Sequence, residues 1–411
     1  MAGIVKYFFS APLFAVLTAV SVCPIFSDNL SAKLVITGPG TQIYTYWGHI
    51  GIVIRNNDTG KDTFYDFGNF SFDSKNFYRD FMKGYMPYLA LGSSADAYIS
   101  FTLSEDRTLT TYKLNLGNEE LEELDALLRW WVLPENRVYL YNYFDKNCST
   151  IIRDILNQVT DAQLEAYTKP VPERTYRHYA RIGAYLSLPT EVLLHYLIGP
   201  RTDRPISGWE KMFIPSAVAD FATSLEYTGR DGIKRTLLGE KTVLQTSSRP
   251  PVPDETRILW PYMLAFGILL AAMWCIQGKF GMLMKALIVI FIGIPGSFVG
   301  YVHLFTNHQY GYWNINLWPS FPTILLALIP IFAVKMKNRE KILAWLWTIN
   351  LAGLLIAVFL RLSGLIVQDA GAFWAFFTPL TFSASYPGLL LRIKLQNKLR
   401  RPANPTSQDQ Y

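Results

Sequence analysis

From residue 258 onward, apolar residues run almost unbroken through five stretches: 258–276, 282–302, 317–334, 342–360 and 371–391. A helix needs about 20 such residues to cross a ~30 Å hydrocarbon core, so residues 258–393 are expected to form a bundle of about five transmembrane helices. Pro295, Pro322, Pro330 and Pro379 fall inside these stretches, and membrane helices tolerate them. At the other end, Lys6 precedes an apolar run over 7–22 and then polar Ser27-Asp28-Asn29. This predicts an export signal or N-terminal anchor over 1–27.

Between these regions the pattern is that of a soluble domain. Residues 44–54 are β-branched and aromatic, Asn56-Asn57-Asp58-Thr59-Gly60 is turn chemistry, and 63–67 extends again, which predicts a β-hairpin. Residues 74–84 read as a helix, 97–103 and 109–114 as strands, 118–132 as a helix with acids in its first turn, and 137–140 as a short strand. Asn147 or Cys148 opens a helix reaching about Val159, and mainly helical sequence follows. The exported domain is thus expected over 28–228, and a polar, Pro-containing linker over 229–257. Residues 394–411 are expected to form a cytoplasmic tail. The fold class expected is α+β followed by membrane helices.

Composition agrees with a soluble part joined to a membrane part. Of 411 residues, 50% are hydrophobic and 17% charged, against about 25% charged in ordinary soluble domains. The mean hydropathy is +0.16. Disorder, collagen and disulfide scaffolds are excluded by the apolar content and the three cysteines.

The net charge of +6 could indicate nucleic acid, but its placement indicates topology instead. Lys279 and Lys285, then Lys335, Lys337, Arg339 and Lys341, then Arg392, Lys394, Lys398, Arg400 and Arg401 flank alternate connections. The connection 303–316 has no Lys or Arg. By the positive-inside rule the basic connections are cytoplasmic, and 28–257 lies outside with loop 303–316. No zinc finger, RNA-binding motif or phosphate loop is present, and no nucleic-acid partner is expected.

Candidate chemistry begins with Cys148. Cys23 lies in the export segment, where Val22 is not the small residue a lipidation site needs, and Cys275 lies in an expected span. Cys148 therefore has no evident disulfide partner in an oxidising compartment, where a lone thiol is either used or buried. Its place at a helix start favours the thiolate. His49, flanked by Gly48 and Gly51, is the candidate base; His178 and His195 are alternatives. If the 57–60 turn closes the hairpin, His49 faces Gly68, and Asp66 is its same-face diagonal neighbour. A one-residue slip would exchange Asp66 for Tyr65 or Phe67. Asn69 and Asp145 are substitutes for Asp66.

A strand His, a polar residue on the next strand and a later Asn-Cys opening a helix resemble the circularly permuted papain-like (NlpC/LRAT-like) enzymes. The unpermuted NlpC-type peptidases place Cys before His. More specifically, the chain resembles the Lnb family of bacterial lipoprotein N-acyltransferases. The segments that carry this are Gly48-His49, Tyr65-Asp66-Phe67-Gly68-Asn69-Phe70-Ser71-Phe72, the run from Pro134 through Tyr139, Tyr141 and Tyr143 to Phe144, and Asn147-Cys148. Asp203-Arg204-Pro205, the stretch from Met212 to Pro215, and His308 with Asn314 and Asn316 before Pro319 continue it in order.

The resemblance implies Cys148, His49 and Asp66 as catalytic residues, with Asn147, Tyr65, Asn69, His303, His308, Asn314 and Asn316 at the substrate. It implies a membrane phospholipid as acyl donor, a Cys thioester, and the α-amine of a diacylglyceryl lipoprotein as acceptor. It also implies a multi-pass protein of the bacterial inner membrane with the catalytic domain in the periplasm. No cofactor and no metal are implied. Two other readings remain open: a membrane-anchored envelope cysteine peptidase or amidase using the same Cys148 and His49, and a sensor or scaffold in which Cys148 is inert.

Overall fold

A computed structural model describes residues 29–70 and 76–399. The export segment with Cys23, residues Ser71 and Phe72, and the end of the tail lie outside them. The first part of the chain is a mixed α+β domain built on a seven-stranded antiparallel sheet. Its strands are β1 (Leu30–Thr37), β2 (His49–Asn56), β3 (Lys61–Asn69), β4 (Pro87–Ser94), β5 (Leu109–Leu114), β6 (Val138–Leu140) and β7 (Leu238–Gln245), in the order β7-β5-β1-β2-β3-β4-β6. The β2–β3 hairpin has the expected register, with Gly51 opposite Asp66 and Asn56 opposite Lys61.

Helices cover both faces of the sheet. Ile50, Ile52 and Ile54 of β2 share a core with Tyr65 and Phe67 of β3 and with Ile151, Ile152, Ile155 and Leu156 of a helix introduced below. Val35, Val53, Phe64 and Leu109 form a second cluster beneath helix α1 (Ala95–Ser104). Burial on both faces explains why β2 reads as a continuous apolar run rather than an alternation. The strand expected at 97–103 is α1: Ser94 caps it by accepting from the Ala97 N–H, and Ala95, Tyr98, Ile99 and Thr102 recur at helical spacing. Next come α2 (Asn118–Trp131), α3 (Cys148–Val159), α4 (Tyr176–Gly183) and α5 (Leu188–Leu197).

The expected linker is also corrected. Leu238–Gln245, inside 229–257, pairs with β5 as the outer strand β7. Beyond it Arg249 donates to the carbonyl of Glu105 at 2.9 Å.

The apolar region forms α6 (Trp260–Trp274), α7 (Gly278–Phe305), an interrupted helical segment Ile315–Phe332, α8 (Arg339–Leu362), α9 (Gly371–Ala384) and α10 (Tyr386–Leu399). Among the described residues three of these are long and apolar enough to cross a membrane: α7, Ile315–Phe332 and α8. The expectation of about five is reduced for two reasons. Helix α6 has 15 residues, about 22 Å of helix against a ~30 Å core. The last stretch breaks at Ser385, whose extended backbone separates α9 from α10. The interrupted segment lies in backbone contact with α7 and α8 at Gly296 and Gly353, where a side chain would collide with the carbonyls of Ser320 and Trp318.

A polar joint fixes the first domain to the membrane part. The last turn of α5 leaves carbonyls without helical partners. Asn314 Nδ2 donates to those of Tyr196 and Leu197 at 2.8 and 3.0 Å, and Asn316 Nδ2 donates to Tyr196 at 3.0 Å. Gln368 Nε2 holds Asn314 Oδ1 at 2.8 Å, and the Gly199 N–H donates to the Tyr310 carbonyl at 2.6 Å. Asn314 and Asn316, expected at the substrate, are buried parts of this joint.

Candidate active site

Cys148 is the first residue of α3, and its position is set by the residue before it. Asn147 caps the helix by accepting from the Thr150 N–H at 2.9 Å, while the Asn147 N–H donates to Thr150 Oγ1 at 2.8 Å. This reciprocal pair satisfies two end groups of the helix at once. The Asn147 amide also donates to the carbonyls of Tyr143 and Phe213 at 3.0 and 2.9 Å. Asn147 is thus a buried clamp on the cysteine loop rather than a group facing a substrate. Cys148 is a partly buried free thiol.

His49 opens β2, and its ring lies over Gly68 of β3. Asp66 Oδ2 is 3.5 Å from His49 Nε2. Asp66 is fixed in turn by Asn69, whose Nδ2 donates to Oδ1. A register shift in the β3–β4 pairing between Asp66 and Asn69 brings these two side chains together. Cys148 is an electrostatic neighbour of His49, raising the pKa of the ring by its charge and by side-chain hydrogen bonding. The run Asn69–Asp66–His49 is therefore coupled to Cys148.

Electrostatics favour a protonated His49. Burial pulls its pKa down, but the neighbouring Cys148, then Tyr98, with hydrogen bonding to Asp66 and Cys148, raises it well above 6.5. Tyr88, Tyr139, Tyr141 and Cys148 belong to or pack on the same core. All three tyrosines are pushed up, first by burial, with the charge at Cys148 contributing, and so stay neutral. Tyr143 is pushed up to about 12 by burial. The tyrosine alternation at 139, 141 and 143 is the sequence signal for this group.

Other expected residues lie elsewhere. Tyr65, one residue from Asp66, points to the opposite face of β3 and is 5% exposed in the main core. Asp145 is engaged by the Tyr310 hydroxyl at 2.5 Å and by Arg201 at 3.7 Å, not by His49. His195 is buried, and that burial, with Arg177 and Arg181 beside it, lowers its pKa to about 2, which removes it as a base. The His178 ring packs against Tyr179. His303 stays within its loop, accepting from the Trp313 N–H at 3.4 Å. His308 reaches the domain: Nε2 is 2.9 Å from the Phe81 carbonyl, and the ring stacks on Tyr143. An open cleft of about 590 Å³, lined by Asp203, Arg204, Trp313 and Leu365 among others, includes neither Cys148 nor His49.

Gly68 gives a direct test of ring placement. A Cβ there would sit 2.6 Å from His49 Cε1, so Gly68→Ala must turn the imidazole. The expected result is a fall of about 10²-fold in Cys148 reactivity, with the far-ultraviolet circular dichroism of the chain unchanged. Wild-type reactivity would show that the ring's seat over Gly68 is immaterial.

Residues 26–181 match the family model of the Lnb N-terminal periplasmic domain. That stretch is similar to the Lnb periplasmic domain. It takes in His49, Asp66, Asn69 and Cys148, together with β1 to β6. The match ends within α4, so the segments 203–205, 212–215 and 308–319 of the wider resemblance fall outside it. No curated protein and no solved structure matches the chain. Among the described residues, the Lnb-like stretch stands beside three helices apolar enough to span a membrane.

Proposed function

We propose that the chain is a lipoprotein N-acyltransferase of the bacterial inner membrane, with the Lnb domain on the periplasmic side. In this reading it moves an acyl chain from a membrane phospholipid, through a Cys148 thioester, to the α-amine of a diacylglyceryl-cysteine. The observation that carries this is the run Asn69–Asp66–His49, coupled to Cys148, in an Lnb-like domain hydrogen-bonded to membrane-length helices. The order of strand His, next-strand carboxylate and later helix Cys supports a circularly permuted papain-like arrangement.

His49 takes the proton of Cys148, and Asp66 holds the ring. The sulfur attacks the ester carbonyl, and the C–S bond forms as the C–O bond breaks. The leaving lysophospholipid oxygen takes the proton from His49. The lipoprotein amine then attacks the thioester. His49 accepts the amine proton, the C–N bond forms, and Cys148 is released. The first-turn N–H groups of α3 stabilise the oxyanion in both steps. Both substrates are lipids, which favours a domain held at the membrane surface over a soluble one. A peptidase of the same chemistry would need only a single anchor.

The test is intact-mass analysis of full-length protein in phospholipid nanodiscs. Wild type should carry a hydroxylamine-labile acyl adduct that Cys148→Ser lacks, and a diacylglyceryl-cysteine peptide should discharge it with formation of an amide. Absence of the adduct in folded, thiol-reactive protein would overturn acyl transfer and bring the peptidase reading forward.

A further inference from the structure

After β3 the domain exposes a group of large apolar side chains on the short helix Phe77–Met82: Tyr78 is 72% exposed, and Phe81 and Met82 are exposed beside it. Soluble surfaces rarely gather such residues without a partner. The position of this group is fixed by the membrane part. The Asn307 N–H donates to the Lys83 carbonyl at 2.8 Å, and His308 Nε2 holds the Phe81 carbonyl at 2.9 Å. Asn307 and His308 follow directly on the end of α7, where Leu304 and Phe305 are also exposed. The exposed face of Phe77–Met82 therefore continues the apolar surface of a membrane-length helix at its outer end.

From that face a row of rings leads inward. Phe81 packs on Phe77 with centroids 6.0 Å apart, Phe77 on Phe70 at 5.8 Å, Phe70 on Tyr88 at 5.0 Å, and Tyr88 on Tyr141 at 4.2 Å. Tyr88 and Tyr141 lie close enough to Cys148 to feel its charge. A second arm, from Tyr141 to Tyr143 to His308, closes back on Phe81.

We infer that Phe77–Met82 is seated in the outer lipid leaflet beside the end of α7, and that the ring row beneath it is the wall along which a lipid acyl ester travels from the bilayer to Cys148. The route rests on the acyltransferase reading; the seat does not. An acyl chain drawn into water would expose its whole apolar surface, and a continuous aromatic wall keeps that surface covered. Aromatic side chains are suited to the interface, where one end is apolar and the other wet. Lys83, exposed at the end of the segment, places a cation at head-group level.

Two measurements on the full chain in nanodiscs of phosphatidylethanolamine and phosphatidylglycerol test this. In the first, an environment-sensitive fluorophore is attached through Tyr78→Cys, with Cys23, Cys148 and Cys275 replaced by Ser. The control label is Lys61→Cys, the first residue of β3, beside the hairpin turn at the opposite end of β2 and β3. Phospholipids brominated on the acyl chain should quench the label at position 78 and spare the one at 61. Equal quenching, or none at 78, overturns the seat. In the second, acyl adducts from bilayer phospholipid and from the water-soluble ester p-nitrophenyl acetate are compared in Tyr78→Glu/Met82→Glu. The ratio of the two rates should fall by roughly tenfold or more; an unchanged ratio overturns the route. Wild type that accepts the soluble ester but never bilayer lipid overturns the acyltransferase reading and the route with it, and quenching then decides the seat alone.

Discussion

In the proposed reaction His49→Ala should slow formation of the Cys148 adduct by about 10²–10⁴-fold at neutral pH, the usual worth of a positioned acid–base group, and Asp66→Asn should slow it less. The larger loss is expected because His49 is the group coupled to Cys148, while Asp66 would act through the ring it lies 3.5 Å from. The coupling can be read without turnover. Burial lowers the His49 pKa, and the neighbouring Cys148 is the leading influence that raises it. Cys148→Ser removes that influence and leaves the burial, so His49 should titrate at lower pH in the variant than in wild type.

The same shift fixes the sign of the pH dependence. A His raised above its unfolded value contributes stability that is fully present below about 6.5 and is lost as the pH rises through the raised folded value. Histidine-resolved NMR titration of the detergent-solubilised chain reads these changes, and His195, held neutral by burial between Arg177 and Arg181, serves as an internal reference. If His49 titrates at the same pH with and without the Cys148 thiol, the two side chains are not coupled and His49 is not its base.

The parts of this site that can be read from the sequence are those set by local rules. The Asn56–Gly60 turn and the period of two fix the β2–β3 register, and with it the diagonal from His49 to Asp66. Asn147 before Cys148 marks a helix start because an amide oxygen can accept from the first turn. Long-range demands hide the rest. Tyr98-Ile99-Ser100-Phe101-Thr102 has strand composition, but Ser94 and the spacing of its buried residues make it a helix. Asn314 and Asn316 resemble ligand-binding residues in a polar loop, yet their amides go to the open carbonyls of α5, a partner more than 100 positions away. Tyr65 turns away from His49 for the reason Asp66 meets it, since one step along a strand changes the face. An apolar window over 371–391 does not register the break at Ser385, because an extended backbone at a single residue costs no hydropathy.

The second large effect is on stability, at a pair outside the site. Arg177→Met should destabilise the chain by about 3–5 kcal/mol, the cost of leaving a buried charge without its partner. Arg177 is 2% exposed, and its guanidinium grips the Asp203 carboxylate with two bonds of 2.7 and 2.8 Å. It also donates to the carbonyls of His195, Ile198 and Gly199 at 2.7, 2.7 and 3.2 Å. These carbonyls lie where α5 meets the membrane joint held by Asn314 and Asn316. Burial raises the Asp203 pKa and Arg177 pulls it back only in part, so the pair is costly to bury and costlier to break. Arg177→Met/Asp203→Leu should therefore regain part of the loss, but not all, because the three carbonyls still lose the guanidinium as a donor. Urea unfolding followed by tryptophan fluorescence, in one detergent for both single variants and the double, gives the interaction energy as a double-mutant cycle. A double variant no more stable than Arg177→Met would mean that the carbonyl contacts, rather than the charge pair, hold the joint. In either case the loosened joint should carry loop 303–316 away from Tyr143, and with it the His308 stacking that ties the Cys148 surroundings to the end of α7.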